Sequence, residues 1–116
     1  MGTTKKYSYQ SNQLQFADLC KALGHPARVA IVQLLSQNNH LNCNEIQSKL
    51  SLSQSTISWH CGLLQKFGIV GYEQVGNNCY FRLNNRVIDI LTDHIDAINT
   101  DPITLTDNVY YPAHYA

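Results

Sequence analysis

Between Asn42 and Gly68 the chain carries two helical signals only three residues apart, and this spacing constrains the fold more than any other feature. Asn42 and Glu45 stand at N-cap and N3 spacing, a capping box with Asn in place of Ser. Ile46 and Leu50 follow one turn apart as the buried positions of a short helix. Ser51-Leu52-Ser53 leaves room only for a tight turn. Ser53 caps a second helix over roughly residues 54–67, which Gly68 closes. Two helices of about eight and fourteen residues on so short a turn read as a helix-turn-helix.

The flanking segments complete the pattern. Phe16, Leu19, Cys20 and Leu23 recur at helical spacing up to Gly24. His25-Pro26 opens another helix, with Pro at its first position and Ala27, Ala30, Ile31, Leu34 and Leu35 as its apolar face. Ser36 to His40 is a polar break. After Gly68 the period becomes strand-like. Ile69–Val75 and Cys79–Leu83 are rich in β-branched and aromatic residues, with Gly76-Asn77-Asn78 as the turn between them. A hairpin directly after a helix-turn-helix is a wing. A last helix carries Ile88, Leu91, Ile95 and Ile98 as an apolar stripe, and Asp101-Pro102 ends it. The expected fold is mainly α with a small β-hairpin: a winged helix-turn-helix of four helices, two strands and a fifth helix. Residues 1–11 read as a flexible arm, 12–99 as the domain and 100–116 as an irregular Tyr-containing tail.

Charge separates the chain into two parts. Residues 1–86 hold all eight basic residues against three acids, and residues 87–116 hold five aspartates and no base, so a net charge of zero hides +5 and −5. The first part suits an anion and the second does not. Charged residues are only 14% of the chain, against roughly 25% in an average soluble protein. Apolar content of 44% is enough for a packed core. No run of about 18 apolar residues is present to span a membrane. Met1 to Gln15 is polar, with no secretory signal, so a cytoplasmic location with reduced thiols is expected.

On a helical wheel of residues 54–67, Ile57, Cys61 and Leu64 share one side, with His60 at its edge. Ser55, Trp59, Gly62 and Lys66 lie opposite, flanked by Gln54 and Ser58. The first face is core. The second carries small hydroxyl and amide groups near a helix N-terminus, chemistry that suits base edges and phosphates in a major groove. An ordinary solvated face is the structural alternative.

Three further runs join this one: Lys21-Ala22-Leu23-Gly24-His25-Pro26-Ala27-Arg28, Gly68-Ile69-Val70 and Tyr80-Phe81-Arg82-Leu83. With Leu50-Ser51-Leu52-Ser53-Gln54-Ser55-Thr56-Ile57-Ser58-Trp59-His60, they make residues 14–99 resemble the ArsR/SmtB family of winged-helix repressors. The resemblance implies a homodimer on an inverted-repeat operator in double-stranded DNA, paired through the first and last helices. It also implies an inducer, bound elsewhere, that releases the operator. Candidate DNA contacts are Gln54, Ser55, Thr56, Ser58, Trp59 and Lys66 on the helix, with Asn77, Asn78 and Arg82 on the wing. Candidate dimer contacts are Phe16, Leu19, Cys20, Leu23, Ile88, Leu91, Ile95 and Ile98.

The chain also departs from the family. Where many members carry C-x-C it has Asn42-Cys43-Asn44, and where others place Asp and His on the last helix it has Asp89, Leu91 and a single His94. A zinc site takes about four well-placed ligands, so no metal and no cofactor is expected. The wing tip lacks the usual Arg or Lys. Cys43 sits at a helix N-terminus, where the dipole lowers a thiol pKa and would suit a redox or electrophile switch, but it reads first as a residue that fills the first turn. Cys20 and Cys61 read as packing, and Cys79 as a wing thiol without a resolving partner. Trp59 either meets DNA or covers neighbouring protein surface. A protein-interaction module using Trp59 and the tail, without specific DNA binding, is one competing reading, and a thiol- or metal-responsive sensor variant of the repressor is another. With no phosphate loop, no G-x-S-x-G, no H-E-x-x-H and no paired carboxylates, an enzyme is not expected.

Overall fold

The computed structural model describes residues 8–99; Lys5, Lys6 and Tyr7 of the arm and the whole tail from Thr100, with His114, lie outside the described residues. The element order is α1 (Ser11–Leu23), α2 (Pro26–Ser36), β1 (Leu41–Asn42), α3 (Cys43–Leu50), α4 (Gln54–Lys66), β2 (Val70–Val75), β3 (Asn78–Leu83) and α5 (Asn85–Ile98). Each boundary has a local cause. His25 caps α2 by accepting from the Ala27 amide at 3.0 Å, with Pro26 at the first helical position. Asn42 and Glu45 form the expected reciprocal box on α3, at 2.8 and 2.9 Å. Ser51 ends α3 in the left-handed region at φ 53°, and Gly68, at φ 78°, turns the chain from α4 into the hairpin.

Two findings were not expected. The polar break before α3 ends in a short strand: β1 adds to the hairpin, giving a three-stranded antiparallel sheet in the order β1-β3-β2. The turn is shorter than expected, because Asn78 already pairs with Val75 and belongs to β3. Only Gly76 and Asn77 remain at the tip, and Gly76 takes φ 61°, as the first central position of a tight hairpin requires.

Ile31, Ile46, Ile57, Cys61, Leu64 and Ile69 are fully buried where α2, α3, α4 and the sheet meet. Each apolar side chain of this size contributes about 1.5–3 kcal/mol on burial. Leu19 and Ala22 bring α1 onto this core. The helix-turn-helix is therefore held from behind, and its opposite face is free.

Candidate nucleic-acid interface

The start of α4 is built by hydroxyls. Ser53 Oγ accepts from the Thr56 amide at 3.2 Å and donates to Thr56 Oγ1 at 2.7 Å, with Ser55 Oγ 3.2 Å away. Thr56 is half-buried and spends its hydroxyl within the protein. Gln54, Ser55, Ser58 and Trp59 point outward, while Ile57, His60, Cys61 and Leu64 are buried. The wheel thus separates the two faces correctly, and His60 lies inside the core boundary rather than at its edge.

A cleft of about 320 Å³ opens between this end of α4, the start of α3 and the hairpin tip, and Gln54, Ser58, Asn77 and Asn78 all line it. Two candidates fall elsewhere. Lys66 sits at the other end of α4, about 18 Å along the helix axis from Gln54, beside Ser11, Gln15 and Asp18 of α1. Arg82 is at the hairpin base, opposite Gly71, and shares a separate cleft with His40, Glu73 and Tyr80.

Trp59 is 63% exposed. Its ring meets the edge of His60, with centroids 5.0 Å apart, and the Arg28 guanidinium lies 5.9 Å from the indole centroid. Arg28, which supports this face from beneath, is not among the sequence candidates. It is buried, its Nε donates to the Ala22 carbonyl, and its Nη1 donates to His60 Nδ1 at 3.1 Å. Arginine can only donate, so His60 Nδ1 is an acceptor and a neutral ring carries its proton on Nε2. Burial, with His25 and then Arg28 nearby, holds the His60 pKa below its ordinary value. The signal was in the period: Arg28, Ile31 and Leu35 share one helix face.

The dimer candidates divide. α5 has no fully buried residue, and Ile95 and Ile98 are 51% and 68% exposed. Phe16 stacks on His94 with ring centroids 5.0 Å apart, and with Cys20 and Ile98 it lines an open groove between α1 and α5. Leu23, Ile88 and Leu91 are half-buried against the core. Leu19 is buried in its own domain's core, at 4% exposure. Cys20 faces solvent rather than packing inward.

The thiol expectations also change. The Cys43 thiol is pushed up rather than down, by burial first and by the neighbouring Cys79. Cys61 is pushed up to about 12 by burial, with Cys43 and Cys79 adding to it. Among the described residues, no group of three or more His, Cys, Asp or Glu is placed to hold a metal ion. No helix among them is long and apolar enough to cross a membrane.

A helix-turn-helix with one free polar face, followed by a hairpin beside that face, defines a winged helix-turn-helix protein. Residues 25–72 match the model of the arsR family of bacterial regulatory proteins. A transcriptional regulator of the helix-turn-helix type from Methanocaldococcus jannaschii, itself uncharacterized, is 37% identical over 76 residues, covering 65% of this chain and 85% of the relative. The transcriptional repressor PagR of Bacillus anthracis is 34% identical over 74 residues, covering 63% of this chain and 73% of the relative. The fold matches the homodimeric winged helix-turn-helix DNA-binding domain of a Mycobacterium bovis protein, with TM-score 0.65 and 19% identity over 95% of this chain and 99% of that one. This chain belongs to the arsR family, whose members are transcriptional regulators rather than enzymes.

Proposed function

We propose that this protein is a homodimeric transcriptional repressor that binds an inverted-repeat operator in the cytoplasm. The observation that carries the reading is the exposed Gln54, Ser55, Ser58 and Trp59 face on a helix whose other side is buried. Small side chains let the helix backbone approach the major groove, and Gln and Ser reach base edges. The Asn77-Asn78 tip lies along flanking DNA, where amides hydrogen-bond but add no charge. Lys66 and Arg82 sit further out and serve the phosphate backbone. Few cations release few counterions, so the salt dependence is shallow for this family. Pairing through the α1–α5 groove covers the bare stripe of Ile95 and Ile98 and keeps the acid-rich helix away from DNA. The named relatives support regulation, and the homodimeric relative supports pairing.

Selection of the purified protein on random duplex DNA at physiological salt tests this reading. An inverted repeat with half-sites about 10 base pairs apart is the expected product. Ala at Ser55, Ser58 or Trp59 relaxes the base preference at a cost of about 1–3 kcal/mol, whereas Lys66→Ala weakens binding to all DNA alike. No enrichment by a folded dimer overturns the repressor and turns Trp59 into a protein-docking residue.

A further inference from the structure

β1 and β3 run antiparallel, with Leu41 opposite Phe81 and Asn42 opposite Tyr80. Cys43, the first residue of α3, follows directly on Asn42, and Cys79 directly precedes Tyr80, so the two thiols lie just beyond the last pair of this register and line one cleft. Alternate residues along β3 return to the same sheet face, so Cys79 shares the face of Phe81. Leu41 and Phe81 are both buried, and Cys43 and Cys79, one step outward from the Asn42–Tyr80 pair, pack against the same core. Both thiols are half-buried against the core, and both line the cleft that holds Gln54, Ser58, Asn77 and Asn78.

We propose that Cys43 and Cys79 are an oxidisable pair that closes into an intramolecular disulfide tying the wing to the start of α3. A disulfide takes Cβ atoms about 3.5–4.5 Å apart, and Cys43 and Cys79 share the wall of one cleft, each half-buried against the same core. Of the other two cysteines, Cys61 on α4 is near both thiols but shielded by full burial, and Cys20 is remote from them, facing solvent in the α1–α5 groove.

The oxidant is a two-electron acceptor of the peroxide class. The Cys79 thiolate attacks one peroxide oxygen, the O–O bond breaks, and with a proton the other oxygen leaves as water. Cys79 is then a sulfenic acid. Cys43 loses its proton, attacks the Cys79 sulfur and forms the S–S bond. The S–O bond breaks, and hydroxide leaves with that proton as a second water. One peroxide is reduced to two waters, and two thiols become one disulfide. Cys79 takes the first step because the Cys43 thiol is donated to the Gln54 carbonyl, at 3.7 Å, and is held protonated by burial. Closing the bond removes that hydrogen bond at the first residue of α4. It also draws β3 towards α3, shifting Asn77 and Asn78 relative to Gln54 and Ser58.

The test oxidises the full-length protein with stoichiometric hydrogen peroxide, caps free thiols with iodoacetamide and maps the unreduced digest by mass spectrometry. The expected product is one Cys43–Cys79 cross-link within a chain, two hydrogen atoms lighter, reversed by dithiothreitol. It persists in Cys20→Ser and is absent from Cys43→Ser and Cys79→Ser. Sulfinic acids without a link, a Cys43–Cys61 link, or only Cys20-linked chains overturn the proposal. The regulatory consequence rests on the DNA-binding reading: the oxidised form binds the selected operator about threefold or more weakly. Unchanged affinity overturns the pair's role as a switch. A protein that binds no DNA in either state fails the earlier reading alone, since the cross-link map needs no DNA.

Discussion

Arg28 Nη1 lies 3.1 Å from His60 Nδ1, joining a buried charge on α2 to a buried ring on α4, directly beneath the exposed Trp59. The guanidinium binds the helix that presents Trp59 to the helix behind it. Removing it leaves two acceptors, the Ala22 carbonyl and His60 Nδ1, without their donor. Arg28→Leu is therefore expected to lower stability by about 1–3 kcal/mol in urea unfolding. The Trp59 emission of the folded variant should shift, because the indole loses its cationic neighbour. An unchanged urea midpoint would show that the pair does not hold α4.

Acid is expected to destabilise the protein through His60. The native pKa is below the ordinary value of 6.5, so the unfolded chain binds a proton that the folded chain refuses. Stability from this group is complete above about pH 6.5 and is lost as pH falls from there towards the folded pKa. Urea midpoints measured from pH 7.5 down to 5.5 should fall in the native protein. His60→Gln should flatten that slope; an identical slope in the variant places the acid sensitivity elsewhere.

Much of this arrangement was legible beforehand. The capping box of Asn42 and Glu45, the Ser53 cap and the Gly68 stop are local hydrogen-bonding devices, so three or four consecutive residues suffice to read them. The outward face of α4 follows from the helical period alone. Arg28 was missed because a charged residue is ordinarily solvated, and its two partners come from elsewhere in the fold. β1 was missed because a two-residue strand has no period and exists only through its pairing with β3. That same long-range register makes Cys43 and Cys79 neighbours, and neither residue carries a sign of the other in the sequence.

Thiol labelling separates the cysteines. Burial pushes Cys61 up to about 12, so at pH 8 the folded protein should not alkylate there. Iodoacetamide should modify Cys20, which faces solvent, and reach Cys61 only when urea is added. Cys61 labelling at the same rate in folded and unfolded protein would contradict its place on the buried face of α4.

Charge on the α5 stripe tests the pairing surface. Ile95 is half exposed and touches little of its own domain. Ile95→Glu should leave the helical circular dichroism unchanged and shift sedimentation from dimer to monomer at micromolar concentration. The affinity for an inverted repeat should then fall by about tenfold or more, because each half-site is held separately. A variant that still sediments as a dimer removes α5 from the interface.

Among the described residues, all the buried side chains belong to residues 19–81, and α5 supplies none. The residues that hold α4 in place are therefore a different set from those on the bare stripe of α5. Changes to the stripe can accumulate without disturbing how α4 is presented, and changes at Ser55, Ser58 or Trp59 need not alter the stripe. Within one genome, related copies of such a chain can drift apart in the company they keep while retaining the same vocabulary, or acquire a new vocabulary while keeping the same company.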